Sequence, residues 1–434
     1  MPGERSRLRS ADHHSLARHG RLRRHKPARF VGLLAAVTAA VLVVSAGSVA
    51  AIAVGTVKSD IKSVSIGAKD DKIAEHTSIG AIAGGANILL AGSDTRVDQT
   101  QVQAGVADGS RNDVTILIHI SADHKHMTAV SFPRDLMVDT PSCTGNGGAT
   151  YPAQTYVQFN TTLGEGLGCT VATVESMTGL TIPYAAEITF DGVIEMSNAL
   201  GGVNVCVASP IDDPYTGLNL SAGTHTLLGL QALEFLRTRH GVGDGSDLAR
   251  ISSQQVFLAA MMRKIVSAGT LSSPLKLYGL ASAAVKNMTL STSLANTSTL
   301  IELGLAMKSV SLSNALFVQY PSMTDPTDVE RVVPDTTDAA ILNADLKSDT
   351  QFTLGADSLG RASTTEGSTS TGSTGTGSTG TGSTGTGTAT TPATTPATGT
   401  SGTSAATPTP TPTALPSTIT GQAASEQTCS AGNG

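Results

Sequence analysis

Charge is scarce in this chain, since Asp, Glu, Lys and Arg make up only 14% of its 434 residues. There are four cysteines, and no pair has zinc-finger spacing, so no structural zinc site is indicated. The sequence also contains no nucleophile elbow, no P-loop and no HExxH motif. These absences argue against the classes of enzyme and metal-binding protein that such motifs identify. The candidate functional residues are therefore the few charged side chains that cluster in the sequence.

Basic residues are concentrated at the beginning of the chain. The first 29 residues carry nine arginines and lysines against two carboxylates, a net charge of +7. The rest carries 19 basic and 32 acidic side chains, a net charge of −13. An acidic main body argues against a protein that binds nucleic acid.

A long uncharged run follows the basic segment. Residues 30–55 number 26, and as a helix they would be about 39 Å long, enough to cross a bilayer core of roughly 30 Å. The basic flank predicts that residues 1–29 stay in the cytoplasm and that everything after Lys58 lies outside. A cleaved signal peptide is the alternative, because residues 48–50 resemble a cleavage site. We expect an uncleaved anchor and a single-pass protein of the cell membrane.

The cysteines all follow this run, in a compartment where disulfides persist. Cys143 and Cys169 flank one loop-rich stretch and are the predicted pair. Cys206 and Cys429 remain, and a bridge between them would tie the tail back to the domain.

The segment from about 85 to 350 alternates strand patterns with helix patterns. In the strand at 114–120, four β-branched side chains share one face. We predict an α/β domain with three α-β-α layers around a central mixed sheet. Residues 56–84 are expected to connect the membrane helix to this domain. Residues 351–434, rich in Ser, Thr, Gly and Pro, predict a disordered tail.

Two aspartates stand at strand ends within the predicted domain. Asp94 follows a buried strand, and Asp113 begins the next one beside Arg111. If the strands are neighbours, both carboxylates could share one Mg²⁺ ion. An ordinary loop or cap role is the simpler interpretation of either residue alone. The nearby arginines favour a metal or phosphate site.

Clustered arginines are suited to hold phosphate oxygens two at a time. Pro133 ends a strand and frees Arg134 to point into a site, with Asp135 orienting it through a salt bridge. Arg237 and Arg239 would share a face of an extended segment, although a solvated edge is the alternative.

The helix that begins near residue 247 carries two further candidates. Arg250 and Gln254 are four apart and share a face. Asp247 is expected to cap the start of this helix, which is a structural role. Three histidines at 119, 124 and 126 straddle a turn, and we do not favour a metal site there.

Several motifs in chain order resemble those of the LytR–CpsA–Psr family of cell-wall phosphotransferases, in particular its actinobacterial members. The matching segments are Asn87–Arg96, Arg111–Ile116, Ser131–Asp135, Ala199–Val203, Ala222–Leu233, Leu236–His240 and Asp247–Arg250 followed by Gln254 and Gln255. The sequence departs from the family at Ser253, where a second Arg is usual, and at Phe159, where no basic residue precedes Asn160.

The resemblance implies transfer of a glycopolymer phosphate from a polyprenyl pyrophosphate carrier to a peptidoglycan hydroxyl. It implies that Mg²⁺ or Mn²⁺ binds Asp94 and Asp113. Alternatives are a polyprenyl-pyrophosphate hydrolase and a non-catalytic, membrane-anchored lipid-binding protein. The residues expected to hold the diphosphate and its developing charge are Arg111, Arg134, Arg237, Arg239 and Arg250, with Arg96 and Gln254 binding substrate. Either Asp113 or Asp94 would accept the proton of the acceptor hydroxyl.

Overall fold

The structure is a computed structural model that describes residues 62–67, 82–95, 101, 110–267, 269, 274–295, 297–355, 357–366 and 412–433. The predicted basic segment, the predicted membrane helix and Arg96 lie outside these residues. Among the residues that are described, no helix combines the length and the apolar character needed to span a bilayer.

The described elements follow one another as a mixture of short strands and helices. The strands are β1 Lys62–Val64, β2 Ala86–Ser93, β3 Asn112–Ile120, β4 Met127–Phe132, β5 Met137–Thr140, β6 Cys143–Thr144, β7 Thr150–Tyr151, β8 Gln154–Gln158, β9 Tyr184–Ile188, β10 Val203–Ser209, β11 Ile211–Asp213, β12 Leu218–Leu220, β13 Gly223–Leu227, β14 Met288–Ser291, β15 Ala315–Gln319, β16 Ser322–Thr324, β17 Val332–Pro334, β18 Phe352–Thr353, β19 Ser363–Thr365, β20 Thr413–Ala414, β21 Gly421–Ala423 and β22 Thr428–Ala431. The helices are α1 Thr162–Glu165, α2 Leu167–Thr178, α3 Phe190–Ala199, α4 Leu230–Arg237, α5 Asp247–Ser267, α6 Pro274–Asn287, α7 Thr297–Lys308 and α8 Thr336–Lys347.

One large sheet organises the domain. Its eight strands lie in the order β1-β14-β9-β2-β3-β4-β15-β21. The pairs β1/β14, β2/β9 and β4/β15 are parallel, and the other four neighbouring pairs are antiparallel. The fold is therefore mixed α/β, as the sequence predicts.

Helices cover both faces of this sheet. On one face, Leu89 and Leu117 share a buried cluster with Val174 of α2 and Leu342 of α8. On the other face, Ile120 shares a cluster with side chains of α5, α6 and α7. Successive strand residues point to opposite faces, so both sides of a central strand bury apolar side chains. The layers are those expected for a three-layer α-β-α arrangement.

The end of the chain belongs to the folded domain. Strand β21 pairs antiparallel with β15 at the edge of the large sheet. Strand β22 lies between β10 and β19 in a second sheet of order β13-β10-β22-β19, where Cys429 is bonded to Cys206. The prediction of disorder from residue 351 onward is wrong for these segments. The composition of the whole tail does not reveal these strands, since β21 and β22 are only three and four residues long and show no periodicity.

The segment before the domain also contributes structure. Residues Lys62–Val64, expected to be part of a connector, form β1 at the other edge of the large sheet. A strand of three residues is too short for a sequence pattern to reveal.

Cys143 is bonded to Cys169, and this disulfide ties β6 to α2. It is the pairing that the sequence predicts.

Candidate active site

A polar cavity of about 260 Å³ opens where β2 ends, β3 begins and β4 ends. Because β2/β3 and β3/β4 are antiparallel, these three strand ends lie side by side at the same end of the central strands. Six of the residues that the sequence singles out meet here. The residues that line the cavity are Asp94, Arg111, Asp113, Arg134, Asp135, Gln158, Asn160, Phe190, Arg237 and Arg331.

An irregularity in the β2/β3 ladder places Asp113. Gly92 pairs with Val114, but Ser93 pairs with Asn112, so Asp113 is the extra residue of the ladder. Such a bulge re-aims a side chain at the rim of a sheet. Just beyond it, Arg111 N donates to Asp94 Oδ1 at 2.7 Å, and Asp94 N donates to Arg111 O at 3.0 Å. This reciprocal pair fixes both residues at the cavity.

Arg134 is surrounded by carboxylates. Its Nη1 donates to Asp113 Oδ1 at 3.1 Å, and its Nε lies 3.4 Å from Asp135 Oδ2 and 3.8 Å from Asp247 Oδ1. Burial by itself would lower the pKa of Arg134, but the charges of these three aspartates outweigh it and raise the pKa. Arg134 is therefore a fixed cation, and Asp135 orients it as the sequence suggests.

Asp247 does more than begin a helix. One of its oxygens, Oδ2, accepts from Arg134 N at 3.0 Å, and the other lies 2.6 Å from Arg250 Nη2. Arg250 Nη2 also donates to the Asp113 backbone carbonyl at 2.7 Å. The side chains of Arg250 and Asp247 are each only 6% exposed. Arg250 supports the strand that carries Asp113, and it lines a second, adjoining cavity but not the polar one.

The sequence predicts one extended segment through Arg237 and Arg239, and the structure does not have it. Arg237 is the last residue of α4, with Thr238 as its C-cap, so the segment is not an extended strand. The Arg237 guanidinium lies 4.3 Å from the centre of the Phe190 ring. Arg239 Nε donates to Gly245 O at 3.0 Å. Arg237 lines the polar cavity and also the second cavity beside it, whereas Arg239 lines the second cavity only.

Gln254 holds the end of α4. Its Nε2 donates to the carbonyl of Leu236 at 2.7 Å, and the residue is 3% exposed. Since Leu236 precedes Arg237, this contact helps to place that arginine.

A second cavity, of about 380 Å³, adjoins the polar one. Four residues line both cavities, namely Asp113, Arg134, Phe190 and Arg237. The remaining lining is mainly apolar and includes Leu90, Val114, Ile116, Ile188, Val193, Met196, Leu233, Leu236, Phe257, Leu258, Met261 and Met288. The two cavities together offer a charged chamber that continues into an apolar one.

Four cavity residues were not among the sequence candidates: Gln158, Asn160, Phe190 and Arg331. Arg331 lies in the loop between β16 and β17, where no periodicity or motif marks it. Asn160 N donates to Arg134 O at 3.1 Å. Among the described residues, the buried Asn160 Oδ1 has no hydrogen-bond partner. An unpaired buried oxygen favours a bound ion, water or ligand in this cavity.

The donor set suits Mg²⁺. Asp94 and Asp113 both line the polar cavity, and Asn160 Oδ1 adds an unpaired oxygen. Carboxylate and amide oxygens are the protein ligands that this ion takes. Within the described residues, the one close cluster of potential metal-ligating side chains is Cys143, Glu165 and Cys169, and its two cysteines form a disulfide.

Ser253 does not face either cavity. It is fully buried, and its hydroxyl lies 2.7 Å from the Ser430 hydroxyl of β22. Ser253 therefore packs against the end of the chain and does not contribute to either cavity.

Comparison with known proteins agrees with the motifs. A sequence model of the LytR_cpsA_psr family matches residues 53–343. The cell wall biosynthesis protein LcpA of Corynebacterium glutamicum is 32% identical over 237 residues, 48% of this chain and 45% of LcpA. The polyisoprenyl-teichoic acid–peptidoglycan teichoic acid transferase TagT of Bacillus subtilis is 32% identical over 184 residues, 41% of this chain and 52% of TagT. The chain spans about half the length of these curated relatives.

The fold also has a counterpart among solved structures. Protein gbs0355 of Streptococcus agalactiae superposes with a TM-score of 0.50 at 20% identity, over 61% of this chain and 88% of that protein. This likeness concerns the fold alone. The family match covers well over half of the chain, and the chain is therefore a member of the LytR–CpsA–Psr family.

Proposed function

We propose that this protein transfers a glycopolymer phosphate from a polyprenyl pyrophosphate carrier to a hydroxyl of peptidoglycan. It would do so outside the cell membrane, to which its N-terminal apolar run anchors it. The observation that carries the proposal is the junction of the two cavities at Asp113, Arg134, Phe190 and Arg237. A substrate with an apolar chain and an anionic head group fits that junction.

The charges of the polar cavity suit a diphosphate. Its lining has four guanidinium groups against three carboxylates, a net charge of +1. A diphosphate diester carries two negative charges, and arginine forms paired hydrogen bonds to phosphate oxygens. Arg111, Arg134 and Arg237 are the groups that would hold the diphosphate. Arg134 and Arg237 also line the apolar cavity, so they stand nearest the phosphate that stays on the lipid.

A divalent cation is part of the proposal. Asp94 and Asp113, with Asn160 Oδ1, would hold Mg²⁺ or Mn²⁺. When bound, such an ion supplies charge neutralisation at phosphate oxygens.

The reaction is a displacement at phosphorus. The acceptor oxygen forms a bond to the phosphorus that carries the glycan, and the bond from that phosphorus to the bridging oxygen breaks. Polyprenyl phosphate leaves, and the arginines at the junction stabilise its charge. The hydroxyl proton passes to a carboxylate of the cavity, either Asp94 or Asp113. Arg250 and Gln254 act indirectly, by holding the Asp113 backbone and the end of α4.

A transfer assay tests the proposal. Full-length protein in detergent is incubated with a polyprenyl-pyrophosphoryl glycan and peptidoglycan oligomers, with Mg²⁺ or with a chelator. Mass spectrometry should detect glycan phosphate on the oligomers only when the cation is present. Release of glycan phosphate into water, without transfer, would instead identify a hydrolase. Tight binding of the carrier without any turnover would identify a lipid-binding protein.

A further inference from the structure

The lining of the polar cavity divides into four residues shared with the apolar cavity and six that line the polar cavity alone. Asp113, Arg134 and Arg237 form the end that continues into the apolar cavity. Gln158 and Arg331 line the polar cavity only. A lipid tail in the apolar cavity therefore leaves the Gln158 and Arg331 end free for another molecule.

One carboxylate connects the two ends. Asp135 Oδ1 accepts from Gln158 Nε2 at 2.5 Å and from Arg331 Nη1 at 3.2 Å. Its Oδ2 lies 3.4 Å from Arg134 Nε. The side chain of Asp135 is only 10% exposed, whereas that of Arg331 is 35% exposed. Arg331 is thus held in a defined position and still has surface available to a ligand.

The loop that carries Arg331 is fixed at both ends. Val332 N donates to Asp135 O at 3.4 Å, and Arg331 O accepts from Asp325 N at 3.0 Å. The hydroxyl of Tyr156 donates to the Asp325 carboxylate. Tyr156 has a φ of 52°, an unfavourable conformation for a non-glycine residue that surrounding contacts must maintain. Tyr156 is 52% exposed, so its ring remains accessible beside the loop.

We propose that Arg331 and Gln158 bind the acceptor glycan, with Tyr156 positioning the loop that carries Arg331. This inference rests on the proposed function. In phosphoryl transfer the attacking and leaving oxygens are roughly in line with the phosphorus. The polyprenyl phosphate leaves toward the apolar cavity, so the attacking hydroxyl arrives from the opposite end. Guanidinium and amide groups at that end donate hydrogen bonds to sugar hydroxyls and carbonyls.

Steady-state kinetics of full-length variants test the assignment. Arg331→Ala should raise the KM for peptidoglycan oligomers about 10-fold, through loss of a charged hydrogen bond, and leave the KM for the carrier-linked glycan unchanged. Arg331→Lys should recover part of this loss. Tyr156→Phe should shift the acceptor KM in the same direction by less. The matched control is Arg361→Ala, which removes an exposed arginine that pairs with Asp244 at 2.7 Å outside both cavities.

The opposite pattern would overturn the assignment. An Arg331→Ala protein with an unchanged acceptor KM, or with only the carrier KM raised, would place Arg331 on the donor side or outside the site. Binding of fluorescent peptidoglycan oligomers without donor separates this result from failure of the proposed function. If the wild type binds the oligomers through Arg331 but turns over no carrier, the acceptor subsite stands and the transfer reaction does not. If transfer proceeds while Arg331→Ala binds oligomers normally, only the subsite fails.

Discussion

Arg134 Nη1 lies 3.1 Å from Asp113 Oδ1, at the place where the polar cavity meets the apolar one. The pair joins the end of β4 to the bulged start of β3. A third residue, Asp247, accepts from the Arg134 amide and holds Arg250 behind the strand. Cation and carboxylate are thereby fixed before any substrate arrives, which is the condition for electrostatic stabilisation at low reorganisation cost.

Removal of Arg134 should reduce turnover and leave the protein folded, with a smaller loss of stability than removal of Arg250, because the Arg134 side chain is 25% exposed and that of Arg250 only 6%. A hydrogen bond to a charged group contributes roughly 1.5–3 kcal/mol, so Arg134→Ala should slow transfer about 10- to 100-fold. Arg237→Ala should behave similarly. Initial rates of transfer and circular dichroism melts of the two variants and of Arg361→Ala measure this. An inactive but also unfolded Arg134→Ala protein would mean that this arginine is structural.

Arg250 should show the reverse behaviour, with a large effect on stability. Its guanidinium is buried against Asp247 and the Asp113 carbonyl, and its loss leaves a buried carboxylate with fewer partners. Arg250→Ala should therefore lower the free energy of unfolding by about 3–5 kcal/mol, measured by urea denaturation. The exposed pair of Arg361 and Asp244 provides the comparison, with a loss of at most about 1 kcal/mol. Equal losses in the two variants would contradict the buried role.

The bridge between Cys206 and Cys429 should stabilise the domain. It closes a sequence separation of 223, for which the chain-entropy model gives about 5 kcal/mol, against about 3.5 kcal/mol for the separation of 26 between Cys143 and Cys169. Replacing both Cys206 and Cys429 by Ser should lower the melting temperature. Non-reducing peptide mapping of the wild type should show both bridges. Unchanged melting in the double variant would mean that the end of the chain adds no stability.

Introducing at position 253 the Arg that the family resemblance implies should be harmful here. Ser253 is fully buried, and its hydroxyl contacts that of Ser430. Ser253→Arg would place a charge among packed side chains and displace β22, at a cost of at least about 3 kcal/mol. Ser253→Ala removes one hydrogen bond and should cost about 1 kcal/mol. A stable, faster Ser253→Arg enzyme would show that the cavity accepts the new side chain.

Stability should fall below neutral pH through His119. Burial lowers the pKa of His119 below 6.5, and its hydrogen bond to Asp349 offsets this only in part. Between the folded pKa and about 6.5 the unfolded chain binds more protons, so the contribution is complete above about pH 6.5 and is lost as the pH falls. His119→Gln should flatten the slope of unfolding free energy against pH in that range. His240→Gln, at an exposed position, is the control, and equal slopes in wild type and His119→Gln would refute the assignment.

The large sheet could be predicted because its central strands carry a clear alternation. Val114, Ile116 and Ile120 share a face of β3. Part of that face packs in the core, and part lines the apolar cavity. Ile120 is core, whereas Val114 and Ile116 also line the apolar cavity. Sequence periodicity identifies a buried face but does not distinguish packed side chains from the wall of a cavity.

The rest of the site depends on contacts between distant residues. Arg331 reaches Asp135 across 196 positions, and Ser253 meets Ser430 across 177. No local pattern encodes either contact. The expectation of an extended segment through Arg237 and Arg239 failed because α4 extends through Arg237 and the chain turns at Thr238. Both side chains nevertheless line the second cavity. Sequence motifs identified most charged residues of the polar cavity but not which arginines face it.

The central claim is that the two cavities form one site, with the lipid in one and the diphosphate in the other. Photocrosslinking of the full-length protein with a polyprenyl pyrophosphate that carries a reactive group on its isoprenoid chain tests this most directly. Mass spectrometry should place the crosslinks on peptides that line the apolar cavity, those with Val114, Phe257 and Met261. Excess inorganic pyrophosphate should reduce the labelling, because it competes for Arg134 and Arg237. Labelling that avoids these peptides, or that pyrophosphate leaves unchanged, would contradict the account.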